Sequence, residues 1–200
     1  MKNIYYNPPY DSPIEDEFAL TYTKYINENV DFRTQEIVYT KCGQFRIDFI
    51  VELEDKRKIG IECDGGEFHD KSRDEWRDAA ILGDTDVYGM YRINGADIQY
   101  HLEDVLYILS IWEPQLFSER GRNILKRIAS EVILKVKEFD TTMLVVPFTS
   151  ERGVYYLSLE RRIKQYTKHI KTQFWAYAYQ VIKNSNLNDL DAIINEYRKK

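Results

Sequence analysis

Between Phe45 and Glu52 the chain alternates. Phe45, Ile47, Phe49 and Val51 are apolar, and Arg46, Asp48, Ile50 and Glu52 stand between them. Only an extended strand sends alternate residues to opposite faces, so this stretch predicts a strand with one apolar face and a mostly polar face carrying Asp48. A polar turn, Glu54-Asp55-Lys56-Arg57, leads into a second apolar run, Lys58 to Cys63. Upstream, a strand over Thr34 to Tyr39 turns through Lys41-Cys42-Gly43-Gln44. The three runs predict a meander, which rules out an all-helical fold. Residues 62 and 64 are two apart, so Glu62 and Asp64 share a face, and a matching hairpin register brings Asp48 to them.

Helices are predicted around these strands. Ser12 suits an N-cap and Pro13 a first helical position. Ile14, Phe18, Tyr22, Tyr25 and Ile26 follow at helical spacing, to an end near Asn29. Residues 70–82 read as a helix capped by Asp70 or Ser72, with Trp76 on its apolar side. Val87 to Ile93 reads as a strand returning to the sheet, and Ile98 to Trp112 as a further helix. Beyond Pro114 the pattern predicts a long helix over 119–139, two strands over Met143 to Pro147 and Val154 to Leu159, a second long helix from Arg161 to Ile182, and a short one over 187–198. The expected fold is α/β. A mixed central sheet flanked by helices occupies residues 1–112, and a mostly helical extension with a small strand pair occupies residues 113–200.

Hydrophobic residues make up 44% of the 200, enough for a buried core. No apolar run approaches the ~20 residues of a membrane span, and Met1 to Asp11 lack the apolar stretch of a signal peptide. The expectation is a cytoplasmic protein with no membrane partner. Cys42 and Cys63 do not suggest a disulfide framework. The net charge of -5 hides an asymmetry. Residues 1–112 carry 12 basic and 23 acidic residues, and residues 113–200 carry 16 and 10. Carboxylates that hold metal in one half and cations that meet phosphate in the other would explain the split. Two ordinary solvated surfaces would also produce it.

Three carboxylates at one strand end repel unless a cation neutralises them. Hard oxygen donors suit Mg²⁺ or Mn²⁺, and such a metal activates water and stabilises phosphodiester charge. Gly65-Gly66 lets the backbone turn and a ligand approach. His69 follows, an imidazole able to act as general base or acid. The plain alternative is a polar strand end with solvated acids.

The segment from Ile59 to His69, IGIECDGGEFH, resembles the core motif of the very-short-patch-repair-like branch of the PD-(D/E)XK nuclease superfamily. Asp48 in FRIDFIV, Arg77-Asp78 in DEWRDAAIL, Arg92 in VYGMYRINGADI and the SPIE start with Glu15 carry the likeness over residues 12–112. The resemblance implies a restriction-endonuclease-like core and a Mg²⁺-dependent nuclease. Asp48 and Glu62 would be metal ligands, with His69 and Glu15 assisting. Asp64 stands where the superfamily has its signature lysine. Lys71 is the nearest lysine downstream.

Arg73, Arg77 and Arg92 read either as phosphate contacts or as ion pairs with Asp74, Asp78 or Asp97. On the expected helix from Arg161, the residues Arg161, Lys164, Lys168 and Lys171 form a basic stripe that would follow a nucleic-acid backbone, with a solvated face as the alternative. Arg120, Arg122, Lys126 and Arg127 form a second cluster. The expected function is metal-dependent endonucleolytic cleavage of DNA, in repair, mobile-element or defence settings, with RNA as an alternative substrate. Its rivals are a non-catalytic nucleic-acid-binding module and a subunit that needs a protein partner, or a second copy, at its C-terminal half.

Overall fold

The computed structural model describes residues 10–65, 70–168 and 173–199. A first helix, α1 (Pro13–Tyr22), is capped by Ser12, whose side chain accepts from the Glu15 amide. Three strands follow: β1 (Asp31–Thr40), β2 (Gly43–Glu52) and β3 (Lys58–Asp64). They pair antiparallel in sequence order, as the expected meander does. Helix α2 (Lys71–Asp84), capped by Asp70, crosses to β4 (Val87–Asn94), which lies parallel to β3. A parallel return needs a long crossover, and a helix that buries one face on the sheet supplies it.

The chain continues with α3 (Gly95–Trp112), a short turn, α4 (Glu119–Ile128) and α5 (Glu131–Leu134). The predicted long helix over 119–139 is therefore two shorter ones. The Ala129 amide closes α4 on Leu125, and Ser130 then restarts the chain as the cap of α5. Strands β5 (Met143–Ser150) and β6 (Gly153–Ile163) form a hairpin, and α6 (Phe174–Asn184) and α7 (Leu190–Tyr197) follow.

The second predicted long helix, Arg161 to Ile182, is corrected. Residues 161–163 finish β6, and Lys164–Lys168 form a 3-10 turn ahead of α6. Pairing decided this. Met90 faces Arg162 and Tyr91 faces Arg161 across β4 and β6, so sheet hydrogen bonds extend the strand past the point where a helical period begins in the sequence. The proposed basic stripe therefore does not lie along one helix.

All six strands belong to one mixed sheet, in the order β1-β2-β3-β4-β6-β5. The fold is α/β, with helices on both faces. Residues 113–200 are built into this sheet, since β6 pairs with β4. One apolar core joins α1, α3 and α4 to the sheet through residues such as Phe18, Tyr22, Phe49, Ile61, Val105 and Leu109. The other joins α2 and α6 to the opposite face, around Ala79, Leu82, Met90 and Trp175. Trp76 packs edge-on against Phe45 and donates to the Asn188 carbonyl, a packing role. No helix among the described residues is long and apolar enough to cross a membrane. Cys42 and Cys63 are both free thiols.

Gly121 shows how tightly α4 seats. A Cβ built there would run into the backbone carbonyl of Tyr25, which cannot swing aside as a side chain can. Gly121→Ala is expected to destabilise the fold by about 1–3 kcal/mol, as read by denaturant melts. A loss below about half of that would show that the Tyr25 segment yields freely.

Candidate active site

The C-terminal end of β3 carries the chemistry. Glu62 and Asp64 project beside β4, where Glu62 faces Arg92 and Asp64 faces Asn94 in the parallel register. Asp48 comes from β2, and its Oδ2 accepts a 2.9 Å hydrogen bond from the Cys63 amide. Glu15 reaches in from the first turn of α1. All four carboxylates line one cavity of about 260 Å³, together with Ser12, Asp74, Arg77 and Arg92. The convergence expected of Asp48, Glu62 and Asp64 is present, and the SPIE glutamate joins it.

Each acid is held in a distinct way. Arg77, on α2, donates to Glu62 Oε1 at 2.8 Å and also to the Arg46 carbonyl. Arg92 Nη1 donates to Asp64 Oδ1 at 2.7 Å. Ser12 Oγ donates to Glu15 Oε1 at 2.7 Å, and Gln35 Nε2 donates to Glu15 Oε2 at 2.5 Å. Burial pushes Glu62 up to about 8, and the negative charge of Asp48 adds to this, while Arg77 pulls the other way. Burial also pushes Asp48 up to about 6, reinforced by Glu15 and opposed by the Cys63 amide and Arg77. Two neighbouring carboxyls displaced upward mark a place where negative charge is crowded and poorly solvated.

These shifts set a pH dependence. Both groups have folded values above their ordinary ones, so the folded chain binds more protons than the unfolded chain between about pH 4 and pH 8. Stability therefore falls as pH rises through that window. In chelator-treated protein the melting curve should lose about 2 kcal/mol or more between pH 5 and pH 8, and Glu62→Gln should flatten that slope. An unchanged slope in the variant would remove Glu62 as its source.

Behind the acids lies a buried ion network. Asp78 is fully buried on α2 and receives Arg92 through Nε at 2.9 Å and Nη2 at 3.1 Å. Arg162, from β6, reaches the same carboxylate and pairs with Glu160 at 2.8 Å. Although burial pushes Asp78 upward, the two guanidinium groups prevail and hold it below the usual carboxylate range. Arg92 also lies 3.7 Å from Asp74. Arg92 is thus ion-paired, with Asp78 as chief partner, and its side chain also walls the cavity. Arg77 is likewise paired, with Glu62.

Lys71 and Arg73 are exposed on the first turn of α2. Lys71 lines a neighbouring cavity of about 280 Å³ that shares Asp64, Gly65, Asp74 and Arg92 with the first. Arg161 does not line this cavity. It is buried on β6, stacked over Trp112 at 4.6 Å and bonded to Thr141, Phe139 and Asp140. Lys164 donates to the Thr85 carbonyl at 2.7 Å. His69, Gly66 and Lys171 lie outside the described residues, as does the side chain of Lys168.

Sequence reading missed Gln35, and its helix from Arg161 to Ile182 took in Arg162, which the sheet instead brings to Asp78. Neither error was avoidable from local pattern. Gln35 acts across 20 positions and Arg162 across 84.

Among the described residues, no group of three or more histidine, cysteine, aspartate or glutamate side chains is arranged to hold a metal ion. Asp48 and Glu62 still supply two hard carboxylates at one cavity, the donor chemistry that suits Mg²⁺, which commonly uses one or two carboxylates and keeps several waters. No family model matches the chain, and no curated protein or solved structure matches it.

Proposed function

We propose that the chain is a metal-dependent nuclease that hydrolyses phosphodiester bonds, most readily in DNA, on a restriction-endonuclease-like core. The observation that carries this reading is the convergence of Asp48, Glu62, Asp64 and Glu15 on one cavity walled by Arg77 and Arg92. The likeness of residues 12–112 to the very-short-patch-repair-like branch supports the same reading.

Asp48 and Glu62 would hold Mg²⁺ or Mn²⁺. When bound, the metal supplies an activated water and charge stabilisation for the phosphate. Burial raises both carboxyls, and neighbouring negative charge adds to it; a bound cation would replace that repulsion with attraction to a shared charge. The protein's own groups do the rest. Asp48 is fixed by the Cys63 amide. Arg77 keeps Glu62 oriented and provides positive charge beside it. Arg92, tied to Asp64, supplies a cation in space beside the residue that stands where the superfamily places lysine. Glu15 lines the same cavity as a proton-accepting group, and His69 is assigned the role of general base or acid. Lys71, which lines the neighbouring cavity, and Arg73, exposed on the same turn of α2, would meet the phosphate backbone.

A second reading is a non-catalytic nucleic-acid-binding module. It is favoured by the pairing of Glu62 with Arg77 and Asp64 with Arg92, which neutralises two of the acids within the chain. Incubation of the protein with supercoiled plasmid, single-stranded DNA and RNA, each with Mg²⁺ or Mn²⁺, separates the readings. Metal-dependent cleavage is expected. Binding without cleavage in every case would select the module. Capture of a stoichiometric protein partner that restores cleavage would select a partner-dependent enzyme.

A further inference from the structure

Gln35 is the one described strand residue other than glycine whose backbone lies in the left-handed region, at φ 54°. It sits in the middle of β1, between Thr34, which faces Phe49, and Glu36, which faces Ile47. Its register position is therefore opposite Asp48. A side-chain-bearing residue stays in that conformation only where its surroundings hold it there, and such residues cluster at working sites. The side chain explains the hold. Gln35 Nε2 donates to Glu15 Oε2 at 2.5 Å, while Ser12 holds the other oxygen. Glu15 is only 5% exposed and lines the cavity.

A second feature is independent of the first. The remaining atom of the amide, Oε1, is buried and has no hydrogen-bond partner. A buried acceptor without a donor costs free energy and calls for a reason. Together, the turned backbone, the short bond to Glu15 and the orphaned oxygen describe a side chain placed for the Glu15 carboxylate at the expense of the strand.

We propose that Gln35 is a positioning residue of the site, turned out of the regular strand so that its amide clamps the Glu15 carboxylate beside Asp48. The inference rests on the reading of this cavity as a nuclease site.

The test is a cycle of substitutions with two readouts. Glycine adopts φ 54° without strain, so Gln35→Gly removes both the strain and the clamp. In the wild-type background the lost bond to a buried carboxylate dominates, and the melting temperature falls. In a Glu15→Ala background there is no clamp to lose, and the same substitution raises it by about 3 °C. Cleavage follows the same logic. Gln35→Gly lowers kcat about 10- to 100-fold in the wild-type background, in line with losses at outer partners of site ligands. It lowers kcat less than about twofold once Glu15 is already absent, because residues that act through one another are not additive. Equal melting shifts in the two backgrounds overturn the proposal, whatever the cleavage assay returns. So does a folded Gln35→Gly variant with wild-type kcat. If the wild-type chain cleaves no nucleic acid, the nuclease reading falls, and the melting cycle alone decides whether Gln35 is held by Glu15.

Discussion

Glu62→Gln is expected to reduce metal-dependent cleavage by about a thousandfold or more while leaving the fold intact. Ligation by a carboxylate is worth several kcal/mol of transition-state stabilisation when it holds the metal that carries it, and each 1.36 kcal/mol is tenfold in rate. Glutamine keeps the volume of the side chain and one carbonyl oxygen to accept from Arg77, so the cavity wall survives. It removes the charge that a divalent cation needs. The variant should also be at least as stable as the wild type near pH 8, because a buried carboxyl raised to about 8 destabilises the fold once it ionises. Plasmid cleavage and thermal melts on the same preparation read both effects. Unaltered cleavage by a folded Glu62→Gln variant would remove Glu62 from the metal site and with it the proposed mechanism.

The largest effect on stability is expected at Asp78. Its carboxylate, fully buried, receives Arg92 and Arg162 at once. Asp78→Ala leaves two guanidinium groups, 6% and 2% exposed, without their shared counter-charge. Loss of one partner from a buried ion network costs about 3–5 kcal/mol, with Asp64 and Glu160 still holding Arg92 and Arg162 from the rim. For a chain of this size the melting temperature should drop by about 10 °C or more. The sign with pH is the reverse of that for Glu62. The folded value of Asp78 lies below its ordinary one, so its contribution is present at neutral pH and is lost as pH falls through the folded value. A loss below about 1 kcal/mol at pH 7 would show that the remaining partners, Asp64 and Glu160, suffice for the two arginines.

The two halves of the charge distribution carry different lessons. The acidic half gathers Glu15, Asp48, Glu62 and Asp64 at one cavity. In the basic half, Arg161 and Arg162 lie on a strand and are consumed internally, one by Trp112 and Asp140, the other by Asp78 and Glu160. A stripe of cations counted along a sequence says nothing of what lies across the sheet from each.

Much of the site was legible because its signals are local. The alternation around Asp48, the i, i+2 spacing of Glu62 and Asp64, the Ser12 cap that seats Glu15, and the Asp70 cap of α2 each depend on neighbours within a few residues. Dihedral preference and the periods of strand and helix act over that range, so sequence by itself determined the β1-β2-β3 meander, the helix between β3 and β4, and the shared face of the acids. Tertiary structure alone decided the rest. Pairing of β6 with β4 carried Arg161 and Arg162 into the sheet and away from a helix. Asp78 chose Arg92 and Arg162 from positions 14 and 84 residues away. Gln35 left its strand geometry to reach Glu15. In each case the deciding energy is a hydrogen bond or an ion pair in a desolvated interior, and its partner is set by how the sheet assembles, which no local pattern in the chain encodes.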